Sequence, residues 1–490
     1  MCGNQAGISS RLVHLPSKMD LKKMDMENNY TIKQPELNSE ISGISEFVFI
    51  EDENPTNTPQ SSHTPYYGTF SNKKDFCRNN LYTPHTPYCG TFLYIPRNLD
   101  LKGLIEENGR KQRFYFHYAY IISTIYMRRF TDRRHTKNTY VPINTDIART
   151  IISKRKCKEI ISDLIEWGVI ECDYTCVYGF KSYGYRFPNK PQSTNSPYYG
   201  TFHRVKVEDK LITRKMNNFK EKQREEAIAA GADYEHLFNS IHKIKIDYAR
   251  AMEYINNNYV PFSDDYESRK IGIELIHGGD IFFKVDKKGN RAHTNLTNLA
   301  SDLRQFIRYE GKKLGQVDLR NSQPFLLNMV IKKKINFKIQ EEEDEYKLFK
   351  HLTESGEFYE YMMDAFGIES DSRKEFKVLF FGRVFFDRNR EVLKKEEEEF
   401  KKLFPTIFRI IRAIKKDDYT QLAISLQRSE SKLIINECVR KIRREKPDMF
   451  LSTIHDSLVG ELKNLDYFRD VIEEVFLKYN LEPTVKKEKF

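Results

Sequence analysis

The sequence predicts a multidomain α+β protein, and three observations carry that prediction. A chain of 490 residues is long enough for about two to four domains that each bury a core of their own. Residues 112–190 follow the order of two helices, a tight turn between them and two short strands. Residues 263–490 combine strand-like runs that end at acidic residues with apolar helical segments. Because the two regions differ in pattern, we expect them to be separate domains.

Composition narrows the class of partner without identifying it. Lys and Arg number 81 against 70 Asp and Glu, which gives a formal net charge of +11 and favours a polyanionic partner. The 7 cysteines contain no CxxC spacing typical of zinc sites, which predicts reduced thiols. No apolar run approaches the ~18 residues that a membrane span needs, and the first residues lack the pattern of a secretory signal. We therefore expect a soluble cytoplasmic protein with no membrane partner.

The first 110 residues differ from the rest of the chain. They are rich in Asn, Ser, Thr and Pro and poor in periodic apolar residues, which predicts a low-complexity, disordered tail. A phrase close to His-Thr-Pro-Tyr-Tyr-Gly-Thr-Phe recurs over 63–70, 85–92 and 196–202. Because Pro and Gly bracket an aromatic pair, each copy is expected to form a turn that displays its rings. We interpret these aromatic repeats as docking motifs, either for the protein's own body or for a protein partner.

The region 112–190 has a defined order of expected helices and strands. A short helix is expected over 146–152, and Ser153 then caps a second helix that ends at Gly168. Two strands, over 169–172 and 183–187, are expected to follow. This order of helix, turn, helix and two-stranded wing resembles the winged-helix domains.

Basic residues cluster in the first turn of the second helix, and they are Lys154, Arg155, Lys156 and Lys158. On a recognition helix these side chains would face phosphates or the edges of bases in the major groove. The alternative is a solvated basic face in a winged helix that docks onto another protein. Residues 191–262 follow as a strongly charged, helix-prone stretch, which predicts a linker and a long helical segment.

Two acidic residues stand where strands are expected to end. Asp318 follows a short β-like run and precedes a polar turn and an apolar helix. Asp456 interrupts a β-rich apolar run directly after His455, and a second strand-like run follows, so we expect it at the tip of a hairpin. A charge among apolar neighbours costs several kcal/mol unless it is paired or binds a metal. Each segment alone also fits a surface strand end or a tight turn that tolerates Asp.

A third segment between them carries cations and rings. If it is helical, residues at steps of four line one face, and they are Arg373, Lys377, Phe381 and Phe385. Such a face would suit a triphosphate and a base. The alternative is a buried apolar segment with a basic start, in which Gly382 weakens the helix by ~1 kcal/mol.

Taken in order, these segments resemble the motifs of the family A DNA polymerases, the DNA polymerase I family. Motif A is a strand ending in Asp with Ser-Gln shortly after it, as at Asp318 and Ser322–Gln323. Motif B is a helix with Arg, then Lys and an aromatic residue at steps of four, as in the third segment. Motif C is His-Asp at a hairpin, as at His455–Asp456. Two weaker matches flank them, at Arg291 before motif A and at Gln427 before motif C.

The resemblance implies a fold and a chemistry for residues 280–490. It implies a right-hand polymerase palm with inserted helical fingers over 263–490, and a thumb-like role for the helical segment before it. It further implies that Asp318 and Asp456 hold two Mg²⁺ ions for phosphoryl transfer from nucleoside triphosphates to a DNA primer–template. Lys377 would also protonate the departing pyrophosphate. The residues implied to contact the incoming nucleotide are Arg373, Lys377, Phe381, Gln323 and Phe385, and those implied to steady primer and template are Arg291, Gln427 and His455.

Departures from the family pattern leave the product open. The family usually has Glu where this chain has Gln323, and it has Tyr-Gly where this chain has Phe385–Phe386. The segments around Asp318 and His455 also resemble single-subunit RNA polymerases. The leading interpretation is a DNA polymerase without a proofreading domain, of a kind that would suit a phage, plasmid or mobile element. The alternatives are an RNA polymerase or primase with the same palm, and a non-catalytic winged-helix replication or regulatory factor.

Overall fold

The protein has mixed α and β structure. The computed structural model describes residues 92–131, 139–143, 148, 151–175, 182–188, 202–261, 263–334, 338–369 and 372–490. Within these residues every paired strand is antiparallel. The predicted α+β class is confirmed at this level, whereas residues 1–91 of the tail predicted over 1–110 lie outside the described residues.

Helices make up most of the described chain. The α-helices are α1 (Leu101–Glu107), α2 (Tyr115–Thr131), α3 (Lys154–Glu166), α4 (Lys210–Ala230), α5 (Ala232–Ile241), α6 (Tyr248–Asn258), α7 (Asp264–His277), α8 (Asn295–Asn298), α9 (Ser322–Lys332), α10 (Gln340–Ser355), α11 (Phe358–Phe366), α12 (Arg373–Phe380), α13 (Lys395–Leu403), α14 (Pro405–Ile414), α15 (Gln421–Leu433), α16 (Arg440–Glu445) and α17 (Leu465–Leu477). Two π-helical segments continue α12 and α15, and they are Phe381–Phe386 and Ile434–Val439.

The strands of the described chain are short and pair into sheets. They are β1 (Phe92–Pro96), β2 (Val141–Pro142), β3 (Glu171–Cys172), β4 (Gly184–Arg186), β5 (Phe202–Lys206), β6 (Ile244–Ile246), β7 (Phe283–Val285), β8 (Ala292–Thr294), β9 (Ile307–Tyr309), β10 (Lys312–Leu319), β11 (Ser452–Ile454), β12 (Ser457–Glu461) and β13 (Val485–Lys489). Among the described residues no helix is both long and apolar enough to cross a membrane.

Buried apolar side chains form two hydrophobic cores. The N-terminal core draws its members from Leu93 to Ile212, and the C-terminal core from Ala227 to Leu481. Helix α7 belongs to both, because Ile271 lies in the N-terminal core whereas Ile273 and Ile276 lie in the other. Because its residues are buried in both cores, α7 joins them. Burial of a side chain such as Ile contributes about 1.5–3 kcal/mol to the free energy of folding relative to leaving it exposed.

The ordered N-terminal core begins earlier than the sequence predicts. β1 and β5 form an antiparallel ribbon, and Leu93 and Ile95 of β1 are buried. Helix α1 follows, with Asp100 at its N-cap accepting a hydrogen bond from the backbone of Gly103. The predicted tail boundary at residue 110 is therefore wrong. The short run of β1 gives little periodic signal of its own, because its pairing partner lies far along the chain.

Two of the aromatic repeats end where the strands of this ribbon begin. Phe92 and Phe202, the last residues of the second and third copies, are the first residues of β1 and β5. The Arg204 guanidinium lies 3.7 Å from the centre of the Phe92 ring. Phe202 stacks on Tyr126 with ring centroids 3.4 Å apart. These two rings thus pack on the protein's own body, whereas the rest of the repeats lies outside the described residues.

The region predicted to resemble a winged helix contains the expected second helix and strands. α3 begins after Ser153, which occupies the N-cap position without a side-chain hydrogen bond, and Gly168 follows its end with a φ of +68°. β3 and β4 pair in antiparallel fashion, and β2 adds a third strand on the other side of β4. Most of the first predicted helix, over 146–152, lies outside the described residues.

A six-stranded antiparallel sheet forms the base of the C-terminal core. Its order is β11-β12-β10-β9-β6, and β13 also pairs with β10. The predicted helical segment within 191–262 is confirmed as α4, α5 and α6, but β6 lies inside it and pairs with β9. The predicted boundary at residue 262 therefore does not separate that segment from the sheet. Gly315 permits β13 to approach, because a Cβ there would lie 2.6 Å from the carbonyl oxygen of Glu488.

Candidate active site

Asp456 lies at the tip of a β-hairpin. β11 pairs with β12, and the last pair of the register is Ile454 with Ser457, which leaves His455 and Asp456 as a two-residue turn. His455 has a φ of +54°, the left-handed backbone that tight hairpin turns require. The predicted position of Asp456 is confirmed.

Asp318 lies near the end of the central strand. β10 pairs with β12 up to Val317 and with β13 as far as Leu319, so Asp318 extends beyond the last pair with β12. Asn321 follows with a φ of +50°, and the largely buried helix α9 begins at the next residue. The predicted order of strand, acidic residue, turn and apolar helix is confirmed.

Two serines lie beside these carboxylates in a crossed arrangement. The Ser457 hydroxyl, next in sequence to Asp456, donates to Oδ1 of Asp318 at 2.5 Å. Ser322, four residues after Asp318, lies near enough to Asp456 for its hydroxyl to lower the pKa of that carboxyl. Each carboxylate thus lies beside a serine of the chain segment that carries the other. We call Asp318 and Asp456 the carboxylate pair.

The carboxylate pair carries more negative charge than its surroundings compensate. Burial, and then the charge of Asp456, raise the pKa of Asp318 well above its ordinary value. Burial, and then the charge of Glu430, raise the pKa of Asp456. Lys377 opposes the shift at Asp318 without cancelling it. Because ionisation is costly for both groups, a cation would be favoured between them.

Glu430 is a third carboxylate at this site, and the sequence reasoning missed it. Its side chain is 1% exposed and accepts hydrogen bonds from Nε and Nη2 of Arg291, the first at 2.8 Å. Gln323 Nε2 donates to Glu430 Oε2 at 3.3 Å. Glu430 lies three residues after Gln427 on α15, so helical spacing from that predicted residue was the signal that could have found it.

The two weaker sequence matches contact each other in the structure. The turn between β7 and β8, which contains Gly289, packs on α15. A Cβ on Gly289 would lie 2.6 Å from Oε1 of Gln427. Ser431 Oγ donates to the carbonyl oxygen of Gly289 at 2.8 Å, and Arg428 Nε donates to that of Lys288 at 2.8 Å. Arg291, placed by this turn, is therefore directed at Glu430.

His455 is half-buried and lies near two cations. Burial, and then the charges of Arg291 and Arg304, lower the pKa of His455 to about 4. Its ring centroid is 6.2 Å from that of His293. Its Nδ1 atom is buried without a hydrogen-bond partner. The imidazole is thus neutral near pH 7, and its predicted contact with nucleic acid would be that of a neutral group.

The helix with the predicted cationic face is continuous but changes its winding. α12 ends at Phe380 and a π-helical segment takes over. The i→i+5 hydrogen bonds of a π-helix bring two rings against Phe381. Phe386 stacks on it with ring centroids 5.8 Å apart and an interplanar angle of 20°, and Phe385 lies edge-on to it at 5.2 Å. The predicted neighbours Phe381 and Phe385 are therefore in contact, but the winding that carries them after Phe380 is π-helical.

The predicted nucleotide-contacting residues differ in exposure. Lys377 is exposed and near enough to Asp318 to affect its pKa. Arg373 forms an ion pair with Glu360 at 2.7 Å. Phe381 is 7% exposed, and Phe385 is fully buried in the C-terminal core. A contact between Phe385 and a nucleotide stays a prediction that requires its ring to leave that core.

The four predicted cations of α3 are not equivalent. Arg155 and Lys158 are exposed. Lys156 pairs with Glu159 at 2.8 Å, and its Nζ lies 4.4 Å from the centre of the Phe114 ring. The side chain of Lys154 lies outside the described part of the chain. Arg155 and Lys158 are therefore the better placed candidates for contact with a polyanion.

The donor set at the carboxylate pair fits a hard divalent cation. Carboxylate oxygens are ligands that Mg²⁺ prefers, and it commonly binds one or two of them together with water and substrate phosphates. Within the part of the chain that the structure describes, no three His, Cys, Asp or Glu side chains are grouped so as to hold a metal ion. Water or a substrate would have to supply the remaining ligands.

No protein-family model matches this sequence, and no curated protein gives a significant match.

Proposed function

We propose that this protein is a template-directed nucleotidyltransferase, and specifically a DNA polymerase that extends a primer 3′-hydroxyl with deoxynucleoside triphosphates. The observation that carries the proposal is the carboxylate pair. Asp318 near the end of β10 and Asp456 at the tip of the β11–β12 hairpin lie close enough for the charge of Asp456 to act on Asp318, and both have a raised pKa. The hydroxyl of Ser457, next to Asp456, donates to Asp318. Phosphoryl transfer by two metal ions needs carboxylates in such an arrangement.

The metal requirement follows from the charge at this site. Two Mg²⁺ ions bound there would activate the attacking hydroxyl and stabilise the charge on the triphosphate. Asp318 and Asp456 are the residues that would hold them. Lys377, close to Asp318 and exposed, would bind the triphosphate and donate a proton to the leaving pyrophosphate. Arg373 would bind the same phosphates after leaving Glu360.

A nucleic-acid interface on the N-terminal region belongs to the same proposal. The sequence order of α3, β3 and β4, with β2 as a third strand, supports a winged-helix identity. Arg155 and Lys158 would contact phosphates from the start of α3. Replacing both by Glu should weaken DNA binding and reduce its salt dependence, because each lost phosphate contact lowers the slope by about 0.9. Equal affinity and slope in a binding titration would exclude α3 as the contact.

Primer extension tests the catalytic proposal directly. The full chain, a primed template, Mg²⁺ and deoxynucleoside triphosphates should give products longer than the primer. Omitting Mg²⁺, or using Asp318→Ala or Asp456→Ala, should abolish extension. A folded alanine variant with full activity would exclude the assigned residue, and an inactive wild-type chain on DNA and RNA templates would contradict catalysis altogether.

An RNA polymerase or primase is the second candidate, and Gln323 favours keeping it. Gln323 is neutral and donates to Glu430, whereas the resembled DNA polymerases carry a carboxylate at this motif position. Parallel reactions with ribonucleoside triphosphates, with and without a primer, separate the two. Preference for ribonucleotides without a primer would replace the DNA assignment. A non-catalytic DNA-binding factor would bind DNA and fail in every extension reaction.

A further inference from the structure

A buried ion pair lies beside the carboxylate pair without belonging to it. Arg291 donates two hydrogen bonds to Glu430, whose side chain is 1% exposed, and the Arg291 side chain is 15% exposed. Removing two charges from water has a high desolvation cost, so apolar residues of similar shape often serve stability as well. Stability of the fold alone therefore does not explain why Arg291 and Glu430, rather than two apolar residues, occupy these positions.

Attachment of the β7–β8 turn to α15 does not supply that explanation. The turn is already held by the packing of Gln427 on Gly289 and by hydrogen bonds from Arg428 and Ser431 to its backbone. A neutral hydrogen-bonded pair in place of Arg291 and Glu430 would complete the same contact. What a neutral pair could not supply is two opposite charges at fixed positions.

The ion pair lies beside the carboxylate pair on both sides of the contact. Gln323, five residues after Asp318, donates to Glu430, and His293, two residues after Arg291, has its ring centroid 6.2 Å from that of His455, the neighbour of Asp456. The two charges act on Asp456 in opposite directions, because Glu430 raises the pKa of that carboxyl and Arg291 lowers it. A cation bound there would experience attraction from Glu430 and repulsion from Arg291. The bidentate contact fixes both charges in a buried setting, where solvent screens them less than at the surface.

The same carboxylate also orients Gln323. Its Oε2 atom accepts from Nε2 of Gln323 as well as from Arg291. Because an ionised carboxylate only accepts hydrogen bonds, the amide NH₂ end must face Glu430 and the amide oxygen must face away. The ion pair therefore sets which end of this amide is available to a ligand.

We propose that Arg291 and Glu430 are a positioning pair that sets the divalent-cation affinity of Asp318 and Asp456 and fixes the orientation of Gln323. The inference rests on the proposed function in one respect, which is that the carboxylate pair binds a divalent cation. It assigns Arg291 a role within the protein that is separate from the contact with nucleic acid expected from the sequence.

Titration of the full chain with Mn²⁺, followed by electron paramagnetic resonance without nucleic acid, tests this proposal. Glu430→Gln should weaken Mn²⁺ binding about 10-fold, and Arg291→Gln should strengthen it by a similar factor, because one removes a negative and the other a positive charge. The double variant R291Q/E430Q restores neutrality and should bind within about 3-fold of wild type. Glu430→Asp and Arg291→Lys keep the charges and are the matched controls for lost shape.

Shifts in the same direction for both single glutamine variants would overturn the proposal, because damage to the fold moves both alike. Circular dichroism and thermal unfolding establish which variants fold. If a single variant does not fold, the folded double variant decides, and an affinity more than about 10-fold below wild type contradicts charge balance. A wild-type chain that binds no Mn²⁺ would refute cation binding and with it both the proposed function and this inference. Binding with unshifted variants would refute only the inference.

Discussion

Asp318 and Asp302 are both partly buried aspartates in the C-terminal half of the chain, yet their surroundings have opposite effects. Asp302 Oδ2 accepts hydrogen bonds from the Tyr259 hydroxyl at 2.6 Å and from Arg269 Nε at 2.9 Å. Burial alone would raise the pKa of Asp302, but these two donors lower it below its ordinary value. Asp318 has a serine hydroxyl and a second carboxylate as neighbours, and its pKa is raised.

The comparison shows that hydrogen-bond donors and neighbouring charges, more than burial, decide the direction in which the pKa of a partly buried carboxylate shifts. Asp302 has its compensating donors within the protein, so it serves the fold. Asp318 and Asp456 lack that compensation and have raised pKa values, which is the condition that the proposed cation site requires. Perturbed groups of this second kind concentrate at functional sites.

The rate of primer extension should distinguish Asp318 from Asp302 more strongly than any other measurement. Asp318→Asn and Asp456→Asn should each lower Mg²⁺-dependent primer extension about 10³-fold or more, because the amide removes a charge that the metal requires. Asp302→Asn should leave the rate within about 10-fold of wild type. The measurement is single-turnover extension by folded variants. Equal losses at Asp302 and Asp318 would remove the distinction between them.

The free energy of unfolding should depend on Asp302 more than on Asp318. Asp302→Asn loses charged hydrogen bonds with Tyr259 and Arg269 and should lower the free energy of unfolding by about 1–3 kcal/mol at pH 7. Since the folded-state pKa of Asp302 is lowered, its contribution is present above about pH 4 and is lost as the pH falls through the folded value. Urea unfolding at pH 7 and at acidic pH measures both. A pH-independent loss would contradict this assignment.

Mg²⁺ should stabilise the protein through the carboxylate pair. At a concentration tenfold above Kd, a ligand that binds only the folded state adds about 1.4 kcal/mol. Thermal unfolding at pH 8 with and without Mg²⁺ should reveal this increase in wild type and in Asp302→Asn, but not in Asp318→Asn. An undiminished increase in Asp318→Asn would place the cation elsewhere.

The smallest effect should be a gain in stability without metal. Since the folded-state pKa of Asp318 is raised, ionisation destabilises the fold, and this penalty is absent below about pH 4 and grows toward neutral pH. Metal-free Asp318→Asn should therefore be more stable than wild type by about 1 kcal/mol at pH 8 and equal to it near pH 4. Urea titrations in the presence of a chelator measure the difference. A variant less stable at pH 8 would contradict the charge argument.

Sequence predicted the parts of the site that local pattern encodes. The strand end at Asp318 and the hairpin tip at Asp456 follow from short runs of residue types, and both are confirmed. The contact of Arg291 with Glu430 joins residues 139 positions apart, so no local pattern contains it. β1 was missed for the same reason, since its partner β5 lies far along the chain. The π-helical winding after Phe380 depends on packing that helical spacing does not reveal.

The crossed serines also determine when the site can form during folding. Ser457 and Asp318 are separated by 139 residues, and closing a loop of that length must precede any mutual orientation of the two carboxylates. Before that closure, neither strand end has the partner that directs it. A folding intermediate with only one of these strands in the sheet would therefore hold one unoriented aspartate. The relative placement of the two aspartates therefore requires both chain segments in the sheet, so a chain with only one of them in place would lack the proposed site.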